Sequence, residues 1–128
     1  MQPLKIVIGV PPITKKNHQR IVKNKKTGAR FVIPSEEYKR YEKDCGRYLW
    51  ALHHETITYP VNIKCLFYMK TRRRVDLTNL LESCDDVLVK YKIVDDDNSN
   101  IIAGHDGSRV RYDKDFPRTE IYITPMEE

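Results

Sequence analysis

Apolar and polar positions along this 128-residue chain change period several times, and each change marks a candidate element. Leu4 to Val10 is apolar and β-branched and is stopped by Pro11-Pro12, which predicts a strand. Arg20-Ile21-Val22 and Arg30-Phe31-Val32-Ile33 flank the turn Asn24-Lys25-Lys26-Thr27-Gly28, a hairpin pattern over Gln19 to Ile33. Pro34 ends its second arm. Ser35 is placed to cap a helix whose first turn holds Glu36 and Glu37. Tyr38, Tyr41, Cys45, Tyr48, Leu49 and Leu52 then recur at helical spacing, so this helix should run from Glu36 to about His53. After Pro60 the period becomes two: Val61, Ile63, Cys65 and Phe67 alternate with Asn62, Lys64, Leu66 and Tyr68. A second helix is predicted by Leu77, Leu80, Leu81, Cys84, Val87, Leu88 and Tyr91. The run Asp95-Asp96-Asp97-Asn98 breaks regular structure before strands at about Asn100 to Gly104, Ser108 to Tyr112 and Thr119 to Thr124. Several strands with two interspersed helices imply one small α/β domain over residues 1–128, with an α+β-like mixed sheet covered mainly on one side.

Composition narrows the setting. Apolar stretches such as Ile6 to Pro12 are too short to span a bilayer, and no basic segment followed by a long apolar run suggests a secretory signal. Cys45, Cys65 and Cys84 form no CxxC pair, and an odd count argues against a disulfide framework, so reduced core thiols of a cytoplasmic protein are expected. The net charge of +5 is unevenly spread. Residues 1–30 hold Lys5, Lys15, Lys16, Arg20, Lys23, Lys25, Lys26 and Arg30 and no acid. Residues 76–97 hold seven acids against Lys90 and Lys92, which leaves +10 on the remainder. A basic body with one compact acidic patch suits a polyanion-binding surface around a cation site, although a solvated surface gives the same balance.

The stretch Arg72-Arg73-Arg74-Val75-Asp76-Leu77-Thr78-Asn79-Leu80-Leu81-Glu82, with Asp96-Asp97 downstream, is the candidate chemistry. Phosphodiester cleavage needs an activated water, neutralised charge in the transition state and help for the leaving oxygen, all of which one or two Mg²⁺ ions supply. Mg²⁺ takes oxygen ligands, usually one or two carboxylates, and keeps several waters. Asp76 at the helix entrance can share a cation with Asp96 or Asp97 if the following strand folds back beside it. Glu82 reaches the same place, and Asp86 lies a turn further on. Each acid also has a structural reading: Asp76 as an N-cap, Asp95 to Asp97 as an Asx-rich turn, Asp85 as a solvated helix residue. Arg72, Arg73 and Arg74 beside these acids suit phosphate anchoring. The same holds for Lys15, Lys16, Asn17 and Arg20, while the hairpin is either a dimer arm or a DNA clamp. The four histidines show no zinc spacing, and His18 and His105 read as ordinary surface residues. Five glycines form no phosphate loop, so no nucleotide cofactor is expected.

Taken in order, Pro11-Pro12…Asn17, the helix start at Ser35, Arg73-Arg74-Val75-Asp76-Leu77-Thr78-Asn79-Leu80 and the late Asp96-Asp97 resemble the RusA family of phage and bacterial Holliday junction resolvases. The likeness runs from about Val10 to Ile123 and is most specific in Asp-Leu-x-Asn-Leu followed by Asp-Asp. It implies a homodimeric endonuclease that nicks a four-way DNA junction in symmetric pairs, using Mg²⁺ (or Mn²⁺) held by aspartates. Asp76 and Asp97 match the family's metal-binding acids, Asp96 the neighbouring acid and Asn79 the motif asparagine. Two positions depart from the pattern. The family's second motif aspartate is Thr78 here, and a lysine important in the best-known members is Glu82. These two swaps compensate if Glu82 supplies the carboxylate that Thr78 lacks. A glycine common near Lys92 in the family is also missing. Two rival readings are a non-catalytic DNA-binding accessory protein of recombination, and a metal nuclease preferring flaps, forks or single strands. The first must explain why acids that repel phosphate lie among three arginines.

Overall fold

The alternation read between Val61 and Phe67 belongs to the strand around which the molecule is built. In the computed structural model, residues 3–15, 19–52 and 55–126 are described. In chain order the elements are β1 (Leu4–Ile8), β2 (Gln19–Lys23), β3 (Arg30–Pro34), α1 (Glu36–Leu49), β4 (Val61–Met69), α2 (Leu77–Lys90), β5 (Ile102–Gly104), β6 (Arg109–Tyr112) and β7 (Arg118–Pro125). β4 is the centre of a mixed five-stranded sheet. On one side it pairs antiparallel with β7, which pairs antiparallel with β1. On its other side two short parallel strands share the edge, β5 at the start of β4 and β6 at its end.

Both helices lie on one face. Ile6, Ile8, Val61, Ile63, Cys65, Phe67, Ile121 and Ile123 of the sheet are buried with Tyr38, Tyr41, Cys45 and Leu49 of α1 and Leu80, Cys84, Val87 and Leu88 of α2. The one-sided cover expected from the sequence is therefore present. All three cysteines are free and buried. Cys65 of β4 and Cys84 of α2 meet with sulfurs 3.7 Å apart, so the thiols are packing atoms between strand and helix. Gly46 lets α1 come close to Tyr91, because a Cβ there would lie 2.6 Å from the Tyr91 ring. The Tyr91 hydroxyl in turn donates to the Glu42 carbonyl at 2.9 Å. No helix among the described residues is long and apolar enough to cross a membrane.

Element ends follow local chemistry. Ser35 Oγ accepts from the Tyr38 amide at 3.1 Å, the cap expected from the sequence. α1 stops at Leu49 rather than near His53, which lies outside the described residues. The Leu52 amide turns back to the Leu49 carbonyl at 3.1 Å, a tight closing turn that still leaves Leu52 against the core. The first and third sheet strands are also shorter than their apolar runs, β1 ending at Ile8 and β5 starting at Ile102. The hairpin is present as a separate two-stranded sheet, its turn held by Asn24, whose carbonyl accepts from Gly28. None of its described residues joins the core, and Ile21, Phe31 and Val32 are 71%, 47% and 56% exposed.

The end of α2 explains the absent glycine. The Ile93 amide donates to the Leu88 carbonyl at 2.9 Å and the Lys92 amide to the Val89 carbonyl at 3.1 Å, the double bond of a Schellman cap. That cap requires a left-handed residue, and Lys92 adopts φ 60° to supply it. The helix thus ends as a glycine would end it, under strain. Lys92→Gly should raise stability by about 0.5–1 kcal/mol once glycine's greater unfolded-state freedom is counted. A urea midpoint that stays put or falls would show that the strain is relieved elsewhere.

Candidate active site

α2 opens directly after the basic loop that leaves β4, so the three arginines and Asp76 are neighbours in space because they are neighbours in sequence. Asp76 occupies the N-cap position, but its carboxylate makes no capping bond. Instead its Oδ2 accepts from Asn79 Nδ2 at 3.2 Å, one turn into the helix. The carboxylate is exposed at the positive end of the helix dipole, where negative charge is favoured. Of its two readings, the side-chain cap is the one the geometry does not support.

Further along α2 the side chains divide by direction. Ser83 points inward, its hydroxyl donating to the Ile13 carbonyl at 3.0 Å and lying 3.3 Å from the Tyr38 hydroxyl. On the same stripe Asp86 faces Lys15 at 3.8 Å, which sets this lysine beside the acidic patch. The Asp86 carboxyl is pushed up by burial. Lys15 opposes that shift, and the charges of Glu82, Asp97 and Asp85 add to it. The structure therefore gathers Asp97 with Glu82, Asp85 and Asp86 in one field. Asp86 lies about 15 Å along the helix axis from Asp76.

Asp85 is not the solvated residue its position suggested, nor is His105 an ordinary surface histidine. Their side chains are only 15% and 23% exposed, and His105 Nε2 lies 2.9 Å from Asp85 Oδ2. The other ring nitrogen is 2.7 Å from the Ile63 carbonyl of β4. Burial raises the Asp85 carboxyl more than the histidine lowers it. The Asp85 carboxylate, aided by Cys65, raises the imidazole to about 10, so the ring is charged at neutral pH. Nothing in the local sequence signals this pair, because its members are twenty residues apart on different elements.

The turn after α2 separates its two adjacent acids. Asp96 Oδ1 accepts from the Asp97 amide at 2.7 Å and Oδ2 from Asn98 Nδ2 at 3.2 Å, which draws its carboxyl below the usual range. Asp96 is thus held by the turn's own donors, and the Asx bond belongs to Asn98, whose Oδ1 accepts from the Asn100 amide at 2.9 Å. The Asp97 carboxylate lies against that of Asp96, and no cation pairs with it among the described residues.

These side chains suit a divalent cation in kind. All are hard oxygen donors, Asp85 Oδ1 is buried with no hydrogen-bond partner among the described residues, and the acids raise one another's carboxyls. No three His, Cys, Asp or Glu side chains converge as a ready-made cage among the described residues. A Mg²⁺ ion held by one or two carboxylates, waters and a substrate phosphate needs no such cage.

The basic side is next to the helix entrance. Arg72 stacks on Tyr112 of β6, its guanidinium 4.2 Å from the ring centre. Arg72, Arg73 and Arg111 line a hollow of about 470 Å³ with Thr71, Val110 and Tyr112. Arg73 and Arg74 border a second hollow of about 370 Å³, which runs past Thr71, Val75 and Leu80 to Ile13 and Thr14. Arg111 and Tyr112 were not singled out from sequence; the alternation Arg109-Val110-Arg111-Tyr112 was the available signal. Lys16 and Asn17 lie outside the described residues, as does the side chain of Arg20.

A family model described as endodeoxyribonuclease RusA matches residues 10–124. No curated protein matches the chain.

The buried pair has a measurable pH signature. An unfolded histidine titrates near 6.5. The stabilisation from raising His105 is therefore fully present below that pH and is lost as pH rises through about 10. Between pH 6.5 and 9.5 the urea midpoint should fall further for the native chain than for His105→Asn. Equal falls would mean that the pair is not charged in the folded protein.

Proposed function

Because the chain belongs to the RusA family of endodeoxyribonucleases, we propose that it is a homodimeric, Mg²⁺-dependent Holliday junction resolvase, with Mn²⁺ as an alternative ion. It would make paired, symmetric nicks in recombination and repair, working in the cytoplasm of a bacterium or phage-infected cell. The observation that carries the reading is the entrance of α2: an exposed Asp76 carboxylate, free of any cap bond and held by Asn79, directly after Arg72, Arg73 and Arg74.

Asp76, Asp97 and Glu82 are the proposed ligands and catalytic acids, with Asp96 in the ligand set through the turn that presents Asp97. A bound divalent ion would supply the activated water and neutralise the developing charge. The chain's own groups do the rest. Asn79 donates to Asp76 Oδ2 and so fixes the carboxylate's rotation while leaving Oδ1 open. Arg73 and Arg74 hold the phosphate between the two hollows, and Arg72, braced on Tyr112, holds the next along the strand. Glu82, exposed on α2 and within the electrostatic reach of Asp86, stands for the carboxylate absent at Thr78. A two-fold dimer presents two such sites to a two-fold symmetric junction.

A labelled synthetic four-way junction should be nicked in symmetric pairs in Mg²⁺, with a linear duplex left intact and EDTA abolishing the cut. Asp76→Asn and Glu82→Ala should each reduce cleavage about a thousandfold, roughly 4 kcal/mol of transition-state stabilisation. Near-normal cutting by Glu82→Ala would remove that residue from the site. Junction binding with no cut in either ion would leave a DNA-binding accessory protein instead.

A further inference from the structure

The two helices cover one face of the sheet, and no described element covers the other. Strand pairing places its side chains in rows. Lys5, Tyr122 and Lys64 form one row; Val7, Glu120, Leu66 and Arg109 the next; Arg118, Tyr68 and Arg111 the third. Three features of this face point the same way.

First, its charge is one-sided. Glu120 among these rows and Asp113 at their rim are both engaged by Arg118, which donates to Glu120 Oε2 at 2.7 Å and to Asp113 Oδ2 at 2.8 Å, while Asp106 stands at the far rim beside Asn62. Lys5, Lys64, Arg109 and Arg111 have no ion pair among the described residues. Secondly, the lysines are held ready. Both ammonium groups lie over the Tyr122 ring, at 5.4 Å for Lys5 and 4.6 Å for Lys64, and the ring itself is fixed by its hydroxyl donating to Glu120 at 2.7 Å. Thirdly, the cations continue round the sheet's open edge. Arg111 of β6 also lines the hollow shared with Arg72 and Arg73, so a basic track runs from the entrance of α2 over β6 and onto the bare face.

We propose that the uncovered face of the sheet is a second, non-catalytic DNA-binding surface, gripping the phosphates of a duplex arm through Lys5, Lys64, Arg109 and Arg111. Lys5 and Arg109 stand three interstrand gaps apart, about 14 Å, of the order of the roughly 12 Å major groove that separates two phosphate walls. A second copy of the chain is the poorer occupant. Symmetric packing would press these cations against their own copies, and the face's tyrosines, Tyr68 and Tyr122, already carry cations over their rings, which leaves Val7 and Leu66 as its apolar centre. The choice of DNA as the polyanion rests on the family to which the chain belongs.

The test is the affinity of the whole chain for a labelled linear duplex and a labelled four-way junction, by fluorescence anisotropy in EDTA over a salt series. Lys5→Gln/Lys64→Gln/Arg109→Gln should weaken binding about tenfold and make the slope of log Kd against log salt shallower by roughly two to three, near 0.9 per lost phosphate contact. Once bound in Mg²⁺, the variant should cut the junction at the native rate. Unchanged affinity and slope would overturn the proposal. So would an unchanged slope with loss of the dimer in sedimentation, which would assign the face to a second copy. Should the variant fold poorly, an amine-acetylating reagent on the native chain gives the answer. Lys5 and Lys64 should lose reactivity severalfold when duplex is added, and equal labelling with and without DNA would overturn the proposal. A chain that never cuts yet shows the slope change would sink the resolvase reading alone.

Discussion

The seating of α2 on β4 is the contact on which the rest depends. β4 is paired on both sides and buried on one face, so it has one surface to offer a helix. Leu80, Cys84, Val87 and Leu88 fill that surface, and Cys84 meets Cys65 directly. A helix with these residues inward has no rotational freedom left. Asn79, Ser83 and Asp86 must then face the loop after β1, and Asp85 must face the β5–β6 edge, where His105 receives it. The placing of the acids is thus a consequence of apolar packing.

That placing sets opposed electrostatic demands. Burial penalises charge on Asp85 and Asp86, and their mutual repulsion adds to the penalty. Two cations answer it, His105 for Asp85 and Lys15 for Asp86. Asp76 and Asp97 receive no such partner among the described residues. The acids with a protein counter-charge therefore lie further along α2, while the Asp76 carboxylate is exposed at the helix entrance beside the arginines.

Local signals in the sequence sufficed for the elements. The alternation along β4, the Ser35 cap and the helical repeat from Leu77 each arise within a few residues, and each element appears where those signals put it. The position of Asp76 at a helix entrance was legible for the same reason. What was not legible joins residues far apart in the chain. Two parallel strands share one edge of β4, His105 docks on Asp85, and Lys15 reaches Asp86 across seventy-one positions; none leaves a local periodicity. The cap at Lys92 went unread for another reason. A left-handed turn is normally announced by glycine, and here the backbone adopts it without one.

The β2–β3 hairpin has its own hydrogen-bond ladder and, among its described residues, no share in the core. Its opening therefore costs little of the free energy that holds the body together. An isolated two-stranded ribbon is marginal in water, so amide protons within it should exchange with solvent long before those of β4 and β7. In thermodynamic terms the molecule is two cooperative units rather than one. The weaker unit can adapt its shape to whatever it meets without loosening the helix that carries the acids.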